Sequence, residues 1–79
     1  MIIKVLKEDI RKGKRQNAQY CPIARAIKRK TKRGDVMVDS RRVMFGWMTF
    51  EMPVRAENFI MNFDAGKPVK PFQFELEVL

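Results

Sequence analysis

The 79-residue chain carries 17 Lys and Arg against 9 Asp and Glu, no His and one Cys, for a formal net charge of +8. A single Cys excludes an intrachain disulfide, and the lack of His excludes a Cys/His zinc site and the Ser-His and Cys-His nucleophile pairs. The length fits one domain over residues 1–79, no apolar run approaches the roughly 18 residues of a membrane span, and the apolar start Met1–Leu6 is too short for a signal-peptide core. These bounds favour a small cytoplasmic binding protein, not an enzyme, with no cofactor, no metal and no membrane association.

Ile2–Leu6 is apolar and β-branched apart from Lys4, which predicts a strand. Lys7–Lys12 fits one or two helical turns ending at Gly13, and the polar Lys14–Tyr20 fits a loop. Pro22 suits the first turn of a helix, where a missing N–H is no loss. In that helix Ile23, Ala26, Ile27 and Lys30 follow the 3-4 spacing of a buried stripe. Arg25, Lys28, Arg29 and Lys32 point elsewhere, and Gly34 is the expected terminator. Val36 and Val38 alternate within Asp35–Ser40, and Asp39-Ser40-Arg41 reads as a turn. Arg42–Phe45 and Trp47–Phe50 form a second strand or a bulged pair, with Gly46 permitting the kink. Pro53 opens a helix through Phe63 with a seam of Ala56, Phe59, Ile60 and Phe63, closed by Asp64-Ala65-Gly66. Two prolines hold Lys67–Pro71 extended. Phe72, Phe74, Leu76 and Val78 then alternate with Gln73, Glu75 and Glu77, the clearest strand in the chain.

This order, βαββαβ, predicts an α+β fold: a mainly antiparallel sheet with two helices on one face. The split βαβ arrangement of ferredoxin-like folds has the same element order.

The charge is asymmetric. Residues 1–33 hold twelve basic groups against Glu8 and Asp9, whereas residues 34–79 hold five against seven acidic ones. Like charges packed this densely repel one another, which is tolerated on a solvated face or where an anion neutralises it. The sharper of those two alternatives is a surface for a phosphate-bearing ligand, either nucleic acid or a nucleotide.

Two constellations could supply contacts. The first is the helix start at Cys21-Pro22, where the N–H groups of Ile23 and Ala24 are candidate anion donors. Lys12, Lys14, Arg15, Arg25 and Arg29 would add charge around them, and Tyr20 would stack on a base. Cys21 beside these cations is expected to have a lowered pKa, although a lone Cys is more often a small apolar filler. The second constellation is Val43–Phe50. Its Phe-Gly-Trp-Met-x-Phe portion resembles the aromatic strand of RNA-recognition motifs, which implies RNA binding with Phe45 and Trp47 stacking on bases. Packing of these rings in the core is the competing reading.

Across most of the chain, three motifs resemble a group of small bacteriophage proteins. They are the opening Ile3–Gly13, the Cys-Pro-Ile-Ala helix at Cys21–Ile27 and the Phe-Asp-x-Gly…Pro-Phe-x-Phe run at Phe63–Phe74. The resemblance implies a protein of an infected host cell: an inhibitor, a nucleic-acid binder, or a counter-defence protein that sequesters a nucleotide signal. The second class of function is therefore inhibition of a host protein by direct contact, with Met and aromatic anchors. A small core also makes a homo-oligomer plausible. Polyanion binding requires the cations to gather on folding and not to be matched one by one with carboxylates.

Overall fold

The computed structural model describes residues 1–78. The elements are β1 (Ile2–Val5), α1 (Lys7–Lys12), α2 (Pro22–Thr31), β2 (Met37–Val38), β3 (Arg42–Phe45), β4 (Met48–Glu51), α3 (Val54–Asp64), β5 (Phe72–Glu75) and β6 (Glu77–Val78). The fold is α+β and its strand pairing is antiparallel throughout: β1 pairs with β5, and β2, β3, β4 and β6 lie side by side in that order.

Alternating side chains explain the layering. Ile3, Val5, Val43, Phe45, Phe50, Phe74 and Leu76 face inward from their strands and are buried in one cluster. α2 adds Ile23, Ala26 and Ile27, and α3 adds Ala56, Phe59, Ile60 and Phe63. Both stripes follow the spacing expected of helices laid on a sheet. A row of stacked rings ties α3 to β5, with Phe59 4.7 Å from Phe72 and Phe72 5.5 Å from Phe74, centroid to centroid. No helix among the described residues is long and apolar enough to cross a membrane.

Three details depart from the expected order. Arg42–Phe50 is two strands joined by the two-residue turn Gly46-Trp47, since Phe45 lies opposite Met48. Gly46 has φ +61 at the first position of that turn, the conformation that a tight hairpin of opposite twist demands of glycine. The C-terminal strand changes partner at Leu76, pairing with β1 before it and with β4 after it. Phe72 is half-buried and Phe74 and Leu76 are buried, while the side chain of Val78 lies outside the described residues. As a result β1 pairs with β5 alone among the described residues and occupies an edge, where a ferredoxin-like sheet would place it between two neighbours. The reason is the pairing of β4 with β6: the outer edge of β4, where β1 would insert beside the C-terminal strand, is taken by that strand itself.

Lys32 caps the end of α2: its N–H still bonds the Lys28 carbonyl at 2.8 Å, and its left-handed φ of 61 then turns the chain away, so Gly34 is not the terminator. Gly13 serves a different need. Its N–H bonds the Asp9 carbonyl at 2.8 Å, and a Cβ there would come within 2.7 Å of both that carbonyl and the Pro22 ring. The α1–α2 packing therefore requires a residue without a side chain. Gly13→Ala is expected to lose about 1–3 kcal/mol through overpacking, read as a lower urea midpoint with an unchanged slope.

Candidate polyanion interface

Asp9 organises the basic half. It is fully buried at the third position of α1, where Oδ2 accepts the Leu6 N–H at 2.8 Å. From α2, Arg29 grips the same carboxylate through two bonds of 2.6 and 2.8 Å and also donates to the Lys4 carbonyl at 2.9 Å. Arg25 stands behind it, with Nε 3.7 Å from Oδ1. The hydrogen bond from Arg29 to Asp9 holds the guanidinium pKa above its ordinary value. Arg25 and Arg29, expected as ligand contacts, thus join α2 to α1 and β1.

The helix start is likewise occupied by the chain itself. Cys21 is the N-cap of α2, and its Sγ accepts the Ala24 N–H at 3.4 Å. Ile23 and Ala24 are completely buried and offer no donor to a ligand. Burial pushes the Cys21 thiol pKa up, against the expectation of a lowered one. The lone Cys is a buried cap.

Other expected contacts are better placed. Asn17 Oδ1 accepts from the N–H groups of Gln19 and Tyr20 at 3.1 and 3.0 Å, which folds Lys14–Tyr20 into a defined turn. Asp64 fastens the turn to α3 by accepting the Gln16 N–H at 2.8 Å. On this loop the Tyr20 ring is 49% exposed, with Lys14 Nζ 5.6 Å and Lys28 Nζ 4.2 Å from its centroid. Lys28 also donates to the Gln19 carbonyl at 2.5 Å. Two ammonium groups on one ring repel each other, and a bound anion would relieve that repulsion. Lys28 is the contact that sequence reasoning left out. It lies eight residues after Tyr20, and no short-range spacing signals their meeting. Arg15 lies over the end of α3, where a Cβ at Gly66 would meet its guanidinium at 3.3 Å. Lys12 stands 4.0 Å from Glu8, which Arg11 already holds through its guanidinium. That bond from Arg11 keeps the Glu8 carboxyl below its ordinary pKa.

The aromatic strand does not present a stacking face. Phe45 is buried and lies 4.8 Å from Phe50, so the RNA-recognition arrangement is absent and core packing accounts for it. Trp47 is fully exposed at the hairpin tip. Its turn is braced by Asp35, which takes Arg33 Nε and the Gly46 N–H, each at 2.8 Å. These bonds, with Arg33 first, hold the Asp35 carboxyl far below its ordinary value.

The twelve cations of residues 1–33 therefore divide. Arg11, Lys12, Arg25, Arg29 and Arg33 stand beside Glu8, Asp9 or Asp35. The other seven, Lys4, Lys7, Lys14, Arg15, Lys28, Lys30 and Lys32, have no carboxylate partner among the described residues. Among those residues no group of His, Cys, Asp or Glu is assembled to hold a metal ion.

Asp9→Asn should cost about 3 kcal/mol in unfolding free energy, the low end for breaking a buried pair, because the Arg29 side chain is 43% exposed and regains water. Asp35 has a depressed folded-state pKa, so its contribution is complete above the ordinary value of 3.8 and is lost as pH falls below it. Asp35→Asn is accordingly expected to flatten the acid limb of a plot of Tm against pH. No known protein family, curated protein or solved structure matches the chain.

Proposed function

We propose that this protein is a non-enzymatic binder of phosphate-bearing ligands, nucleic acid or nucleotide, acting through the basic surface of its first 33 residues. The observation that carries the proposal is the gathering of Lys14 and Lys28 over the exposed Tyr20 ring, with no carboxylate beside either among the described residues. Arg15 and Lys12 extend the positive field on the same part of the chain. Arg25 and Arg29 act indirectly, by anchoring α2 to Asp9. The resemblance to small phage proteins adds a setting: the cytoplasm of an infected cell, with capture of a nucleotide defence signal as one form of the activity.

A second reading, inhibition of a host protein by contact, is favoured by the outer side of β2 and β3. There Met37 and Met44 face each other across the strands, 42% and 38% exposed. Flexible thioethers of this kind form adaptable contact surfaces. Capture of one defined host protein that persists after nuclease treatment would favour this reading over the first.

Anisotropy of a labelled duplex oligonucleotide across a salt series tests the leading proposal. With Lys14, Arg15 and Lys28 neutralising about three phosphates, log K should fall against log salt with a slope of roughly −2.7. The double variant Lys14→Ala, Lys28→Ala should make that slope shallower by about 2. A nucleotide ligand would instead raise Tm in a panel of cyclic and linear nucleotides, since binding the native state alone must stabilise it. A flat salt response together with an unmoved Tm refutes the proposal.

A further inference from the structure

Of the eight aromatic side chains, the six Phe are buried or half-buried; Tyr20 and Trp47 are exposed. Trp47 is 102% exposed, so its indole forgoes all the burial that a small core would gain from it. Its position is nonetheless built. The turn at Gly46 is locked to Asp35, and Asp35 to Arg33 through bonds of 2.8 Å from both Nε and Nη2. The Arg33 guanidinium in turn covers the Phe45 ring at 5.6 Å. Trp47 thus stands on a tip braced to the residues that follow α2, and little order remains to be imposed when something lands on it.

The two exposed rings lie toward opposite ends of α2, Tyr20 just before its first residue and Trp47 on the turn that meets Arg33 just after its last. Tyr20 precedes α2 and has Lys14 and Lys28 on it. Trp47 is beside Arg33, with Lys32 at the adjoining helix cap. The carboxylate at that end, Asp35, is already neutralised by Arg33. Lys28 lies in the second half of α2 and Lys32 at its C-cap, on the stretch of chain that runs from Tyr20 to Arg33. Ten helical residues separate the two ends by about 15 Å. Flat rings for base faces, together with ammonium groups for the backbone, are the two components of a site for unpaired nucleotides. A duplex, whose bases are already stacked on one another, has no use for the rings.

Resting on the phosphate-binding reading above, we infer that the ligand is single-stranded nucleic acid, lying along α2 with bases stacked on Trp47 and on Tyr20. Trp47 is the sole Trp, so its emission reports directly on the tip. The test titrates the full chain with an oligothymidylate of about twelve nucleotides, and with the same strand annealed to oligoadenylate. The single strand should quench Trp47 emission and bind more tightly than the duplex. Trp47→Ala and Tyr20→Ala should each weaken single-strand binding by about fivefold or more, followed by anisotropy of a labelled strand, and Trp47→Phe should recover most of the loss. Trp47→Ala should leave Tm unchanged, because the indole packs against nothing. Undiminished binding by Trp47→Ala, or equal binding of the duplex with no change in emission, overturns the stacking inference and leaves the phosphate-binding reading standing. Failure of every polyanion to bind overturns both.

Discussion

A fully buried carboxylate in a chain with a net charge of +8 is the constraint around which the basic half is arranged. Taking Asp9 out of water is tolerable only because Leu6 N–H and the fork of Arg29 meet both of its oxygens. Those same bonds set where the elements lie. Asp9 sits in the first turn of α1, Arg29 comes from the third turn of α2, and the second branch of Arg29 reaches the Lys4 carbonyl of β1. One ion pair therefore fastens three elements, and it dictates which cations remain at the surface. Arg25 and Arg29 turn toward the carboxylate, while Lys28 is left to reach Tyr20.

The same division accounts for what an anion meets. A uniformly basic helix would present its charge diffusely. Here the arginines of α2 are structural and its lysines are peripheral, a split that follows their chemistry. The planar guanidinium matches a carboxylate in two parallel bonds, and the ammonium on a flexible stem stays hydrated and mobile. The loop before α2 is stiffened by Asn17 and Asp64, so Tyr20 is held where both lysines reach it. The surface is consequently defined in position even though its charged ends are long side chains.

Much of the architecture was legible from local rules. Alternation from Phe72 to Leu76, the 3-4 stripes of α2 and α3, and proline at the start of α2 all describe what their segments do. The misreadings have one physical origin, namely that long-range partners decide the outcome. Gly46 is permissive enough for either a kink or a turn, and only the pairing of β3 with β4 selects the turn. Change of partner at Leu76 depends on two strands far away in sequence. At the candidate interface, counting charges located the basic half but could not say which Arg would find Asp9, because that pair spans twenty residues. The expected lowering of the Cys21 pKa fails for the same reason, while its reading as a buried apolar filler holds. Cations near it in sequence suggested an activated thiol, whereas in space it is enclosed.

The shared C-terminal strand also governs how the molecule assembles. β2, β3 and β4 can zip together from neighbouring segments, and loop closure between them is short. β1 has no such local option, for Ile2 is opposite Glu75, and its ladder must wait for almost the entire chain to be spanned. Because β5 and β6 are one continuous stretch, loss of either ladder strips a partner from the other. Unfolding should therefore be all-or-none, with the meander as the nucleus and the first strand as the latecomer.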